Sequence, residues 1–224
     1  MSEIWLTEDG SHTIYLPELR ETYHSIHGAV QESRHVYIHH GLQQVVARGL
    51  AGTLRIFEVG FGTGLNALLT ARFAESRQIS MRYASLEAFP LDSSQTAKLN
   101  YPAKLKDEAS GELYEAIHAC PWGLWHRVSG YFELKKINHT IQQYQPTDGL
   151  FDLCFYDAFA PSKQAEMWEF NILQKVIAQL DRGGVFVTYC AKGQLKRDLR
   201  TLDCVVETLP GPPGKLQMVR ATKK

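Results

Sequence analysis

The stretch FEVGFGTGLN, residues 57–66, decides the fold predicted for this chain. It overlaps the end of an apolar run over 54–59 that is typical of a buried strand, and it leads into a helical pattern over 64–75. Gly60, Gly62 and Gly64 allow a tight turn and a close approach of the backbone to a ligand. A dinucleotide-binding loop has the spacing GxGxxG, which these glycines do not follow, so the stretch argues against a dehydrogenase.

Short apolar runs alternate with helix-like segments along the rest of the chain. We predict strands over 54–59, 81–88, 131–137, 151–157 and 185–190, separated by helical segments over 64–75, 92–118 and 165–181. Gly183 and Gly184 are expected to end the last of these helices. The alternation predicts an α/β fold with a doubly wound, mostly parallel sheet.

Two further apolar runs, at 204–209 and 216–222, flank the turn-rich segment PGPPG. A short turn between two strands is compatible only with antiparallel pairing. We therefore predict an antiparallel C-terminal hairpin at one edge of the sheet.

The composition changes near residue 50. Residues 1–50 are rich in His, Tyr and Glu, and we predict that they form a small N-terminal cap packed on a main domain of residues 51–224. The first residues lack the basic and apolar regions of a signal peptide, and no apolar run approaches the length of a membrane span. Four cysteines without CxxC spacing are expected to be reduced, as in a cytoplasmic protein.

The chain has 24 basic and 24 acidic residues, so its formal net charge is zero. A nucleic-acid partner would therefore have to meet a local basic patch. The stretch from Lys192 to Lys224 has such an excess, and it is compatible either with phosphate contacts or with a solvated helix face. Five of the nine histidines fall within residues 24–40, but no cysteine lies near them and Glu32 is the only close acid, so no metal site is expected.

Two carboxylates follow predicted strands. Glu87 comes about 23 residues after Gly64 and can accept hydrogen bonds from ribose hydroxyls, although a surface glutamate at a strand end is an alternative. Asp157 ends the fourth strand, where ligands of open α/β sheets bind. It can hold an amine and take its proton, or it can simply cap the next helix. Phe159 offers a ring on which a base can stack.

The pattern acid-x-Gly-x-Gly-x-Gly at Glu58–Gly64 resembles the cofactor loop of class I S-adenosylmethionine-dependent methyltransferases, which have a Rossmann-like fold. A longer likeness adds specificity. YDAFAPSKQAEMW (156–168), GGVFVTYCAKGQLKRDL (183–199), ETYHSIHGAVQESRHVYI (21–38), SLEAFPL (85–91) and GPPGKLQM (211–218) resemble segments of one family. That family is the methyltransferase domain of the tRNA 5-methylaminomethyl-2-thiouridine biosynthesis proteins. We expect a stand-alone form without the flavin oxidase domain.

The resemblance implies S-adenosyl-L-methionine as the cofactor and assigns residues to it. Glu58 would hold the cofactor's ammonium directly or through water, Glu87 the ribose, and Tyr23 would close over the methionine end. Asn138, where relatives often carry Asp, would lie near the adenine or serve only as a turn residue. The full set implied for the cofactor is Tyr23, Glu58, Gly60, Gly62, Gly64, Asn66, Glu87, Asn138 and Asp157.

The implied reaction is N-methylation of 5-aminomethyl-2-thiouridine at the tRNA wobble position, giving 5-methylaminomethyl-2-thiouridine. Asp157 would be the catalytic residue, and tRNA would contact Phe159, Lys163, Lys192 and Lys215. A separate enzyme would supply the aminomethyl precursor, and neither a metal nor a membrane is implied. Leu216 and Gln217 stand where the family has an Arg-Glu pair. Two alternatives stay open: a methyltransferase of small amines or hydroxyls, and a non-catalytic module that binds S-adenosylmethionine or RNA.

Overall fold

The structure is a computed structural model that describes residues 2–49 and 52–224. Its strands are β1 (Glu3–Leu6), β2 (His12–Leu16), β3 (Glu21–Thr22), β4 (Leu54–Val59), β5 (Met81–Leu86), β6 (His126–Arg127), β7 (Phe132–Ile137), β8 (Phe151–Tyr156), β9 (Leu180–Thr188), β10 (Cys204–Pro210) and β11 (Gln217–Lys223). Its α-helices are α1 (Ala29–Ser33), α2 (Gln43–Ala47), α3 (Leu65–Arg77), α4 (Ser93–Thr96), α5 (Tyr101–Leu105), α6 (Glu108–Ala119), α7 (Phe170–Ala178) and α8 (Gly193–Thr201).

The main sheet has the strand order β10-β11-β9-β8-β4-β5-β7-β6. Strands β4, β5, β7, β8 and β9 are parallel, and β11 pairs antiparallel with both β9 and β10. The chain passes from β4 to β5 and β7 on one side and then returns to β8 on the other side of β4. The carboxyl ends of β4 and β8 therefore flank the switch point at which open α/β sheets bind ligands. The predicted fold class and the antiparallel C-terminal hairpin are confirmed.

The N-terminal region contributes both a small sheet and a helical layer. Strands β1, β2 and β3 form a separate antiparallel sheet. Helices α1 and α2 are joined by a π-helical segment, Arg34–Leu42, that packs on β8, β9 and α3. Within it Val36, Tyr37 and Leu42 are buried, and the Tyr37 ring lies against Phe155 of β8. The predicted boundary at residues 50 and 51 falls outside the described residues.

The prediction of one helix over 165–181 is wrong. A 3-10 turn (Ala165–Trp168) precedes α7, and β9 already begins at Leu180. Gly183 and Gly184 therefore lie within a strand rather than at a helix end. The pairing of β8 with β9 shifts register between residues 151 and 153, and a Cβ on Gly184 would lie 2.8 Å from the carbonyl oxygen of Asp181. The two glycines lie at a local irregularity of strand β9, where the backbone of Gly184 passes too close to its neighbours for a larger residue.

The predicted helical region over 92–118 is divided into three short helices. Asp92 caps α4 with its side chain, Pro102 lies in the first turn of α5, and the Asp107 carboxylate accepts from the N–H of Ser110 at the start of α6. Each of these residues favours the start of a helix, so the region forms three short helices instead of one continuous helix.

Leu42→Ala tests whether the N-terminal helical layer belongs to the main core. Leu42 is fully buried, so the substitution is expected to lower the free energy of unfolding by about 2–5 kcal/mol. Leu6→Ala is the matched control, because Leu6 is 70% exposed and its loss should change stability by less than about 0.5 kcal/mol. Chemical denaturation followed by circular dichroism measures both. Equal stability of the two variants would contradict the packing described here.

Candidate functional site

A cavity of about 1250 Å³ lies between the carboxyl ends of β4, β5 and β8 and the N-terminal sheet. Gly60, Glu87 and Asp157 line it from the main sheet, and Tyr23 and His24 line it from the N-terminal region. The volume is sufficient for a cofactor and part of a second molecule. The switch point of the sheet therefore faces a cavity that the N-terminal region lines on the other side.

The three predicted glycines have different neighbours. A Cβ on Gly60, whose φ is +97°, would lie 2.5 Å from the carbonyl oxygen of Asp157. A Cβ on Gly62 would lie 3.0 Å from the ring of Tyr23. Gly64 does not line the cavity: it is the N-cap of α3, and a Cβ there would meet the His118 imidazole at 2.9 Å. Gly60 and Gly62 shape the cavity, whereas Gly64 shapes the packing behind it.

Glu87 and Asn138 hold the turn after β5. The Glu87 carboxylate accepts from the N–H groups of Gly62 and Phe89, both at 2.9 Å, and it faces the cavity. The Asn138 amide donates to the carbonyl oxygens of Glu87 and Ala88, at 3.0 and 3.3 Å, and does not line the cavity. The amide nitrogen of Asn138 is thus used by the backbone of the turn, which agrees with the role of a turn residue, and its contact with an adenine stays a prediction.

Asp157 is the carboxylate at the centre of the site. Its Oδ1 accepts from the Tyr37 hydroxyl at 2.6 Å, and its Oδ2 accepts from the Asn66 amide at 2.8 Å. Burial raises the pKa of Asp157 to about 7, against the lowering effect of these two hydrogen bonds. Sequence analysis did not single out Tyr37, although it lies in the segment 21–38 that resembles the family, because a tyrosine between the apolar residues Val36 and Ile38 usually belongs to the core.

Glu58 does not contact the cavity. It is completely buried, its Oε2 accepts from the Ser85 hydroxyl at 2.5 Å, and burial raises its pKa to about 8. The predicted direct contact between Glu58 and a cofactor ammonium does not fit this position. In the register of the sheet, Glu58 pairs with Ser85 on β5, so their side chains lie on the same face of the sheet.

The N-terminal sheet is joined to the glycine loop by buried polar contacts. His24 Nε2 shares a hydrogen bond of 2.8 Å with the Thr63 hydroxyl, and burial lowers the pKa of His24 to about 4. Tyr101 donates to the same Thr63 hydroxyl at 3.2 Å. His24 is therefore uncharged near neutral pH and links the N-terminal region to the glycine loop through its hydrogen bond to Thr63. The neighbouring Tyr23 ring covers Gly62.

Lys215 and Lys163, two of the predicted substrate residues, line the cavity, and the ammonium group of each also contacts other protein atoms. Lys215 forms an ion pair with Glu32 and lies 4.1 Å from the centre of the Tyr189 ring. Lys163 donates to the carbonyl oxygens of Leu19 and Arg20, both at 3.0 Å, so its positive charge is not neutralised by a carboxylate there.

The other two predicted substrate residues differ in their placement. Phe159 lines the cavity, and its ring meets the Tyr23 ring edge-on at 5.2 Å. Lys192 is exposed at the N-cap of α8 and does not line the cavity, so a tRNA contact at Lys192 stays a prediction for the surface outside it. Strand β9 ends at Thr188, and of the residues between it and Lys192 the cavity is lined by Tyr189.

Metal-binding groups and membrane-spanning helices are both absent from residues 2–49 and 52–224. In that part of the chain no group of three or more His, Cys, Asp or Glu side chains could hold a metal ion. No described helix is both long and apolar enough to cross a membrane.

The chain is similar in sequence to a methyltransferase family and to curated proteins. Residues 131–224 match a family model described as S-adenosyl-L-methionine-dependent methyltransferase. The tRNA 5-methylaminomethyl-2-thiouridine biosynthesis bifunctional protein MnmC of Pseudoalteromonas atlantica is 30% identical over 216 residues, covering 89% of this chain and 30% of that protein. The protein of the same name from Cupriavidus metallidurans is 31% identical over 228 residues, covering 96% of this chain and 33% of that protein. The chain thus spans about a third of the length of these curated relatives.

The crystal structure of MNMC2 from Aquifex aeolicus has the same fold. It superimposes with a TM-score of 0.80 at 24% sequence identity, covering 100% of this chain and 70% of that one.

Gly60→Ala tests the close approach between the glycine loop and β8. The added Cβ would overlap the Asp157 carbonyl oxygen, so we expect a loss of about 3 kcal/mol or more in the free energy of unfolding. Gly49→Ala is the matched control: Gly49 also has a positive φ, of +84°, but open space around it, so that its cost should be about 1–2 kcal/mol. Denaturant titration compares the two variants. A Gly60 variant as stable as the Gly49 variant would contradict the geometry.

Proposed function

We propose that this chain, which belongs to the S-adenosyl-L-methionine-dependent methyltransferases and corresponds to the methyltransferase domain of the tRNA 5-methylaminomethyl-2-thiouridine biosynthesis proteins, modifies a tRNA wobble uridine. The acceptor is the primary amine of 5-aminomethyl-2-thiouridine, and the product is 5-methylaminomethyl-2-thiouridine. The observation that carries the proposal is the hydrogen-bonded Asp157 carboxylate in the cavity at the switch point of the sheet.

The residues around the cavity fit S-adenosyl-L-methionine, which supplies an electrophilic methyl group when bound. Gly60 and Gly62 line the cavity with backbone alone, because the Asp157 carbonyl oxygen and the Tyr23 ring fill the space that side chains would need. Glu87 offers carboxylate oxygens to ribose hydroxyls. Tyr23 covers the loop from the N-terminal side. These residues would hold the cofactor, whereas Glu58 and Gly64 support the loop from behind it.

Asp157 is suited to an amine acceptor. An ammonium group has no lone pair, so it must lose a proton before its nitrogen can bond to a methyl carbon. A carboxylate whose pKa lies near 7 attracts the ammonium and can accept that proton near neutral pH. Tyr37 and Asn66 fix both carboxylate oxygens, which orients the group toward the acceptor. A small hydroxyl acceptor would gain less from a carboxylate with this pKa.

The rim of the cavity supports a nucleic-acid acceptor. Phe159 and Tyr23 present aromatic surface on which a uracil ring can stack. Lys163 keeps a positive charge beside them that a phosphate can meet. A polynucleotide is therefore favoured over a free small amine.

Reconstitution tests the proposed reaction. The purified chain is mixed with S-adenosyl-L-methionine carrying a labelled methyl group and with tRNA that contains 5-aminomethyl-2-thiouridine, and the digested nucleosides are analysed by mass spectrometry. We expect label in 5-methylaminomethyl-2-thiouridine and a rate that falls as salt increases. The free nucleoside and tRNA lacking the aminomethyl group are the controls. Label on the free nucleoside but not on tRNA would favour the small-molecule alternative, and no label on either would contradict the proposal.

Asp157→Asn separates catalysis from binding. The amide keeps the size of the side chain but removes its negative charge and its ability to accept the proton, so single-turnover methyl transfer should fall about a hundredfold or more. Cofactor affinity in a calorimetric titration should change far less. Asp203→Asn, at an exposed position, is the control and should behave like the unchanged protein.

The pH profile gives a second readout of the same residue. Because the pKa of Asp157 is raised to about 7, its carboxylate form is lost as the pH falls through 7, and the rate should fall with it. The Asn variant should lack this acidic limb. An identical limb in both proteins would show that another group controls the rate.

A further inference from the structure

An ion pair faces the cavity from outside the main sheet. Lys215, in the turn of the C-terminal hairpin, pairs with Glu32 of α1, and both side chains line the cavity. Glu32 is buried, and its Oε2 also accepts from the N–H of Ser25 at 2.8 Å. In the part of the chain that the structure describes, no other ion pair has both members on the cavity. The pair therefore adds a charge of each sign to the binding space.

Both charged groups can bind more than each other. The Lys215 ammonium has further N–H donors beyond the one that Glu32 uses, and its Nζ lies 4.1 Å from the centre of the Tyr189 ring. The Glu32 carboxylate likewise has free lone pairs beside its two contacts. A ligand group with a single charge would upset the balance of the pair, whereas a group with one charge of each sign keeps it. The pair is therefore complementary to a zwitterion.

The strand order places this pair along the cavity. The neighbouring strands run β9-β8-β4-β5, with Tyr189 after β9, Asp157 after β8 and Glu87 after β5. Because Lys215 lies on the Tyr189 ring, Asp157 stands between Glu87 and the ion pair. In S-adenosyl-L-methionine the sulfonium likewise stands between the ribose and the amino-acid group. A cofactor with its ribose on Glu87 thus brings its sulfonium to Asp157 and its amino-acid group to the pair.

We propose that Glu32 and Lys215 bind the amino-acid group of the cofactor, Glu32 accepting from its ammonium and Lys215 donating to its carboxylate. The pair then makes the contact predicted for Glu58, which is buried and does not line the cavity. Lys215 becomes a cofactor residue, whereas the resemblance implied that it contacts tRNA. The inference rests on the proposed function, because it uses the position given there to the ribose.

The fold holds the pair in place from both sides. A Cβ on Gly214 would lie 2.0 Å from the His27 imidazole, so the turn of the hairpin is pressed against the N-terminal region. The N–H of Lys215 donates to the carbonyl oxygen of Pro212 at 2.9 Å, which fixes the backbone of that turn. The amino-acid site is therefore formed by two segments from opposite ends of the chain.

The pair also acts on the reacting carboxylate. Burial is the main cause of the raised pKa of Asp157, and among the charges near it Glu32 raises that pKa further while Lys215 lowers it. Both members thus lie close enough to Asp157 to influence its charge. This agrees with a short separation between the amino-acid group and the sulfonium.

Truncated ligands test the proposal by calorimetric titration. S-adenosylhomocysteine carries the amino-acid group, whereas 5′-methylthioadenosine has the same adenine, ribose and sulfur without it. Glu32→Gln and Lys215→Gln should each raise the Kd of S-adenosylhomocysteine about tenfold or more, and change that of 5′-methylthioadenosine by less than about threefold. Glu207→Gln is the matched control. It breaks the ion pair with Arg220 in the same hairpin, outside the cavity, and should leave both affinities unchanged.

Decarboxylated S-adenosylhomocysteine assigns the two charges separately. It keeps the ammonium and lacks the carboxylate, so Glu32→Gln should weaken its binding and Lys215→Gln should not. Equal losses for all three ligands would show that the pair only ties the hairpin to α1, and this result would overturn the proposal. Unchanged S-adenosylhomocysteine affinity in both variants would overturn it as well.

Two controls keep the test independent of folding and of the acceptor. Circular dichroism checks each variant, and if Glu32→Gln does not fold, Lys215→Gln still decides, because the Lys215 side chain is 33% exposed. The titrations contain no tRNA, so they report on the pair even if the chain methylates another acceptor. Loss of tRNA binding with unchanged S-adenosylhomocysteine affinity would assign the pair to the acceptor and contradict the proposal.

Discussion

The site depends on the close approach of two backbone segments at the ends of β4 and β8. The N–H of Asp157 donates to the carbonyl oxygen of Val59 at 2.9 Å, which extends the pairing of the two strands by one residue. The next residue, Gly60, turns away with a positive φ and passes so close to the Asp157 carbonyl that no side chain fits between them. This contact fixes the position of the Asp157 carboxylate relative to the glycine loop, and the cavity is built around the pair.

Elements distant in sequence complete the arrangement. The π-helical segment brings the Tyr37 hydroxyl to one oxygen of Asp157, and the first turn of α3 brings Asn66 to the other. The C-terminal hairpin contributes Lys215, which pairs with Glu32 from α1 at the edge of the same cavity. The N-terminal region is therefore a structural part of the site as well as a cover for it. Its buried contacts give the carboxylate an environment in which its pKa can lie near neutrality.

The sequence predicts the sheet and its ligand-binding edge because these depend on local patterns. The apolar runs predict β4 and β5, and the glycine spacing at residues 60–64 predicts the loop between β4 and α3. The acids that follow the strands mark the ligand-binding edge. Tyr37 could not be identified in this way, since an aromatic residue between two apolar neighbours, here Val36 and Ile38, usually belongs to the core. The burial of Glu58 outside the cavity could not be predicted, because a motif does not encode how a residue pairs across the sheet, here with Ser85. Gly183 was misassigned because a glycine pair at the end of a helix and one at a strand irregularity look alike in sequence.

A structure of the complex with S-adenosylhomocysteine tests the central claim most directly. The account predicts the ligand in the cavity at the switch point, with its ribose hydroxyls on Glu87 and its sulfur on the side of Asp157, while Glu58 stays out of contact. A ligand bound elsewhere on the chain, or one whose sulfur points away from the Asp157 carboxylate, would contradict it.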